Sequence, residues 1–324
     1  MEEKNIQYSY PKPRPQSFFA KNRVWLNALL FVLTIFTTFF VGFSWSMNYV
    51  YADRIFQDAQ FSITPGMMMN PQTIFLSMVY AITLIGVLLG HELGHFLTCR
   101  YYKIDATLPY FIPAPTLIGT LGAFIKIKSP ITQKRQLFDI GIAGPLTGFI
   151  LSVPTLVYGL SLSKVIPSIP REESIIFGEP LLLKMAGSMI FKGVSTDFDV
   201  ILHPVAFAGW VGILVTALNL FPIGQLDGGH IFYALVGQRA KKFSGWILAA
   251  FIIMGIFSWI GWFIWALLIS VLGLKHPRII DEDVPLSPRR KFLGFVVLLI
   301  FILSFIPDPI KGYTLFDILK QFSF

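Results

Sequence analysis

The sequence is short of charge and nearly without cysteine, and each shortage excludes something. Asp, Glu, Lys and Arg together make up 14% of the 324 residues, where a soluble domain carries about 25%. So few charges cannot coat a water-soluble globule. Disorder is excluded on the same ground, because disordered chains are polar and charge-rich. The single Cys99 rules out an intrachain disulfide. A thiol nucleophile would want a cationic neighbour, and Arg100 is adjacent. A small apolar packing residue needs nothing, and that is the role we expect. Acids are scarcer than bases, 18 against 26, for a net charge of +8. Such a balance can signal nucleic acid. Here the Lys and Arg sit between apolar runs rather than in one patch. That placement fits basic loops against anionic lipid, with no nucleic-acid partner.

What the chain has is apolar surface. Hydrophobic residues make 54%, with 32 Phe and 7 Trp, and mean hydropathy is +0.66. A membrane span needs about 20 apolar residues. Runs of that kind cover 24–47, 73–98, 137–162, 205–222, 244–274 and 292–306. The first is too long for the core of a cleavable signal peptide and reads as a signal anchor. The run 244–274 is either one long tilted helix or two short spans with a turn at Ser258, Trp259 and Gly261. Lys and Arg number five in 1–23, one in 48–72, six in 99–136, four in 163–204 and three in 236–243. This alternation puts the N-terminus in the cytoplasm. The five bases of 275–291 stay on that side only if 244–274 is a hairpin.

One stretch cannot be a long helix. Residues 102–130 hold Pro109, Pro113, Pro115 and Pro130, with Gly119 and Gly122, and such residues break helices. Thr120 to Lys128 shows partial alternation, which suggests a strand or hairpin. Glu179 to Phe191 reads as an interfacial helix. The expected fold is an all-α polytopic membrane protein of six to seven transmembrane helices with a short re-entrant β-hairpin. Its parts are a basic cytoplasmic tail (1–23), a first span with its outer loop (24–72), a catalytic membrane core (73–235), and C-terminal spans with a tail (236–324).

Ionisable residues within or close to the apolar runs are few: His91, Glu92, His95 and Asp227, with His230 just beyond and Asp139 near a span end. Groups that are costly to bury in a membrane mark function by default. His91-Glu92-Leu93-Gly94-His95 is an H-E-x-x-H sequence. Its i,i+4 spacing stacks both imidazoles on one helix face, ready to give one Zn²⁺ two nitrogens at about 2.0–2.1 Å. Glu92 stands beside the first ligand, where a general base for hydrolysis belongs. Two purely structural histidines would leave buried polar atoms to satisfy.

Catalytic zinc usually has three protein ligands. The third candidate lies in Asn219-Leu220-Phe221-Pro222-Ile223-Gly224-Gln225-Leu226-Asp227-Gly228-Gly229-His230. Pro222 and Gly224 end the preceding helix, so that Asp227 can turn back into the bundle. Asp227 and His230 both qualify, and the carboxylate has a modest advantage because it lowers the site's net charge. Asn219 could simply hydrogen-bond a neighbouring helix. His203 and His276 fall in loops, where we expect solvation. Asp139 reads as an acid at a helix N-terminus.

The pair HELGH and NLFPIGQLDGGH resembles the site-2 protease family of intramembrane zinc metalloproteases. The resemblance covers about 75–235. It implies that His91, His95 and Asp227 bind zinc, that Glu92 is the catalytic base, and that Asn219 is catalytic through substrate positioning. Gly141-Ile142-Ala143-Gly144-Pro145 resembles the family's glycine-proline element between the motifs. The 109–130 stretch resembles its membrane re-entrant β-segment. No inserted PDZ domain fits, so the nearest forms are the PDZ-less ones of bacteria and plastids. We therefore expect a bacterial inner membrane, with a plastid membrane second. The implied activity is peptide-bond hydrolysis in a transmembrane protein substrate within the lipid bilayer. Because a helical substrate must unwind to be cut, we expect it to pair with an edge strand near 119–128. The rival reading is a divalent metal transporter. It would need ligands along a path through the membrane, and the outer halves of the runs hold almost none.

Overall fold

The structure, a computed structural model, describes residues 24–57, 62–167, 175–195, 198–272, 279–281 and 284–322. The expected basic tail 1–23 and His276 lie outside them. The chain is mostly helical. Helix α1 spans Val24–Val50 and α2 spans Pro71–Tyr101, followed by the antiparallel strands β1 (Tyr110–Pro113) and β2 (Thr120–Phe124). Helix α3 covers Lys134–Ser161. Then come β3 (Lys164–Pro167), α4 (Leu181–Ile190) and β4 (Phe198–Ile201). Helices α5 (Pro204–Asn219), α6 (Asp227–Val236), α7 (Ala240–Phe257), α8 (Gly261–Leu272), α9 (Pro288–Ser304) and α10 (Leu315–Phe322) follow, and short helical turns at Ala52–Gln57, Pro65–Met68 and Gly237–Arg239 lie between the numbered elements. Of these, α1, α2 and α3 are long and apolar enough to cross a membrane.

Local chemistry explains the helix starts. Pro71, Pro204 and Pro288 each open a helix, where the missing N–H costs nothing. The Asn70 side chain accepts from the Gln72 N–H and caps α2. At the core, α2, α3 and α5 pack on one another. Fourteen of the sixteen residues of α5 are buried, which is why that helix is apolar all round. Small residues let the backbones close in: a Cβ at Gly209 would lie 2.6 Å from the Leu156 nitrogen.

The run 244–274 is broken into two helices. Helices α7 and α8 meet at a turn over 258–260, and Phe251 stacks on Trp262 across the hairpin at 5.2 Å. The β1–β2 hairpin forms where the prolines exclude helix. It is strapped to its neighbours: Asn27 of α1 donates to the Leu108 and Pro109 carbonyls. Trp45 donates to Leu117 O, and Tyr80 to Ile118 O.

Two expectations need correction. The fold is not all-α beyond that hairpin, because β3 and β4 pair antiparallel as a second ribbon. The second motif behaves as expected, with α5 ending at Asn219 and α6 beginning at Asp227. His203 is not solvated: it is buried, and its Nδ1 accepts from the Val205 N–H as the cap of α5. Burial holds its imidazole below the usual histidine range.

Candidate active site

Helix α2 carries His91, Glu92 and His95 on buried turns. Asp227 opens α6 after the tight turn 220–226, in which Gly224 has φ +59. A Cβ at Gly228 would run into the Leu220 carbonyl, so only glycine lets that turn seat against the start of α6. The turn delivers the Asp227 carboxylate to the face of α2. His91 Nε2 and His95 Nε2 are 3.3 Å apart, and each lies 3.2 Å from Asp227 Oδ2. His91, His95 and Asp227 thus form a group able to hold a metal ion.

The fit to zinc can be tested on this geometry. Bonds of 2.0–2.1 Å in a tetrahedral site put ligand atoms about 3.3–3.4 Å apart, which is the spacing found. The tautomer is also suitable. His95 Nδ1 lies 2.7 Å from the Ile140 carbonyl, which can only accept, so Nδ1 carries the proton. The Nε2 lone pair is then free for a metal.

Helix α3 forms the floor. A Cβ at Gly144 would fall on the His95 imidazole, and one at Gly148 would lie 2.9 Å from His91 Nδ1. The sequence singled out Gly144 within its glycine-proline element but gave no signal for Gly148. Among the expected site residues, Asn219 ends α5 with Nδ2 3.2 Å from His91 Nε2. Glu92 is buried beside the ligand group without belonging to it, and the backbone of Ile125 lies near its carboxylate. Ile125 follows β2 directly, so the hairpin ends at the expected base. His230 is not one of the three grouped ligands; it starts beside α3, where a Cβ at Gly141 would lie 3.2 Å from its own Cβ. Cys99 is buried with Ile104, Ala106 and Ile140, in a packing role. Asp139 was missed as an ion-pair partner. Helix α3 starts at Lys134, so Asp139 lies beyond the first turn, where the helix dipole acts. It pairs instead with Arg290 of α9.

Comparison with known proteins places this arrangement. The chain is 31% identical over 234 residues to "Probable zinc metalloprotease EGY1, chloroplastic" of Arabidopsis thaliana, covering 70% of this chain and 42% of that protein. It is 30% identical over 228 residues to "Probable zinc metalloprotease EGY2, chloroplastic" of the same plant, covering 68% and 40%. The rice (Oryza sativa subsp. japonica) EGY1 protein is 32% identical over 227 residues, covering 66% and 38%. The chain therefore spans about two fifths of the length of these curated relatives. No solved structure matches it. Peptidase family M50 matches residues 79–260, more than half of the chain. Because that region holds both motifs and every residue of the ligand group, the chain belongs to peptidase family M50, the site-2 protease family.

Proposed function

We propose that the protein is an intramembrane zinc metalloprotease that hydrolyses a peptide bond within or near a transmembrane segment of its membrane-protein substrates. The observation that carries this reading is the triangle of His91, His95 and Asp227, sized for zinc, with Glu92 alongside. Family membership and the zinc metalloprotease relatives support it. No comparison supports a metal transporter.

In this reading His91, His95 and Asp227 hold the metal. Bound there, zinc supplies Lewis acidity, lowering the pKa of water toward about 7 and polarising a carbonyl. Glu92 takes the proton from the attacking water and returns it to the departing amine. The Ile125 backbone lies near the Glu92 carboxylate at the end of the hairpin. The Asn219 amide donates to the substrate carbonyl oxygen as negative charge develops. The substrate segment is extended and adds to the edge of β2 away from β1.

Seven crossings fit the helix ends. Tyr102, Asp139 and Arg290 join the end of α2 to the starts of α3 and α9 at one end. At the other, Tyr49 donates to Leu162 O and Ser258 to Pro307 O. Helices α1, α2, α3, α5, α7, α8 and α9 thus alternate in direction. Lys103, Lys126, Lys128, Lys134 and Arg135 lie at the first end, which we read as cytoplasmic or its plastid equivalent. The chloroplastic relatives support a plastid membrane; the bacterial inner membrane expected from sequence gains nothing from the comparisons.

The test is cleavage of a single-span substrate by purified protein in liposomes. Glu92→Gln is expected to lower the rate at least 100-fold, on the order of a lost general base, with zinc content unchanged. Asp227→Ala is expected to lose zinc. Wild-type cleavage by Glu92→Gln would remove the base from the mechanism, and full zinc in Asp227→Ala would move the third ligand to His230.

A further inference from the structure

Asp139 and Arg290 are 151 positions apart, and Arg290 lies outside the region that matches the family. Yet the contact is strong in geometry. Arg290 Nε donates to Asp139 Oδ1 at 2.8 Å, and Nη2 donates to Oδ2 at 2.6 Å. This is the two-pronged arrangement that sets guanidinium pairs apart from single-point ones. Tyr102, one residue past α2, donates its hydroxyl to the same Oδ2. Both ionic partners are partly shielded, with side-chain exposures of 28% and 22%.

The next residue along α3 is Ile140. Its carbonyl accepts the His95 Nδ1 proton. Its side chain packs on Cys99, one turn beyond His95 on α2. The peptide unit that orients His95 is thus bracketed by a clamp on one side and by packing on the other. The chain before α9 adds to the grip: Ile280 donates to Thr132 O, and Lys134 N donates to Asp281 Oδ1 at 2.6 Å.

We propose that the Tyr102–Asp139–Arg290 clamp positions His95 for zinc through the Ile140 carbonyl, making α9 a working part of the metal site. This rests on the reading of His95 as a ligand. Arg290 and Asp139 are positioning residues. They touch neither substrate nor metal, and their effect is on how well His95 is held.

The experiment measures zinc affinity by chelator competition in detergent micelles, and thermal unfolding with and without zinc. Asp139→Asn and Arg290→Gln are expected to bind zinc about tenfold more weakly, the lower range for groups that orient metal ligands. The rise in Tm that zinc confers should shrink accordingly. Arg290→Lys keeps the charge but not the fork and should fall between these variants and wild type. It also carries the test if Arg290→Gln does not fold. A merely structural clamp would lower the zinc-free and zinc-loaded Tm equally and leave affinity at the wild-type value; that result would overturn the proposal. His95→Ala serves as the reference. Wild type binding no more zinc than His95→Ala would instead overturn the zinc-protease reading, and this inference with it.

Discussion

At the residue scale, the ligand group was legible because its chemistry is local. H-E-x-x-H places two imidazoles by helix geometry alone, and Pro222 and Gly224 announce a turn before Asp227. What surrounds the ligands was less legible. Gly144 entered through a resemblance, and Gly148 not at all, since a glycine in a membrane helix has many ordinary reasons to be there. The structure gives both the same reason: α3 lies against the two imidazoles with no room for a side chain. Gly144→Ala puts a methyl group on the His95 ring, which the Ile140 carbonyl already holds on its other side. We expect at least a tenfold loss of zinc affinity by chelator competition, in line with other disturbed metal surroundings, with helix content unchanged by circular dichroism. Gly86→Ala is the control, because nothing lies within 4 Å of its Cβ on the same α2 helix. Equal zinc affinity in the two variants would mean that α3 does not shape the site.

Whole elements were legible where one physical rule dominated. Apolar length located α1, α2 and α3 to within about three residues, the usual uncertainty of helix ends. Prolines excluded helix from 102–130, and the turn expected at Ser258, Trp259 and Gly261 falls where α7 gives way to α8. The β3–β4 ribbon escaped because Lys164–Pro167 and Phe198–Ile201 are four residues each and thirty positions apart, too short for alternation to register. His203 escaped because caps are usually Ser, Thr, Asp or Asn, and here an imidazole takes that place. The element to which the proposed function gives a role is the hairpin. Helix α1 covers the β1 side, while the residue after β2 lies near Glu92. A segment added to the outer edge of β2 would therefore run beside the base. Single Pro substitutions at Leu121, Ala123 and Phe124 divide by which way each N–H points. Those facing β1 break the hairpin. Those facing the free edge should keep zinc and fold but lose cleavage, because proline cannot donate to an added strand. If every variant that retains zinc cleaves at the wild-type rate, the substrate does not dock there.

The whole molecule poses a question that short helices leave open. Helices α5, α7, α8 and α9 have 16, 18, 12 and 17 residues, below the usual span length of about 20. Central α5 is enclosed by protein and need not match the bilayer by itself. The α7–α8 hairpin decides the topology. If it crosses and returns, α9 starts on the side of Lys128 and ends opposite. If it forms one crossing, the segment after α9 returns to the side of Lys128. The chain offers a clean way to tell. Its one thiol, Cys99, is fully buried, so a membrane-impermeant maleimide should report only on cysteines introduced at the surface. Lys128, Lys184 and Lys311 are all exposed, and none belongs to the ligand group. In sealed right-side-out vesicles from a bacterial expression host, Lys184→Cys and Lys311→Cys should label directly, and Lys128→Cys only after permeabilisation. Labelling of Lys311→Cys together with Lys128→Cys would reduce 244–274 to one crossing. Direct labelling of Lys128→Cys alone would invert the whole orientation. The direct hydrogen bonds from Gly178 N to Pro309 O and from Lys311 N to Ile176 O argue for the first outcome. They tie the chain after α9 to the segment before α4, and two segments so joined share one side of the membrane.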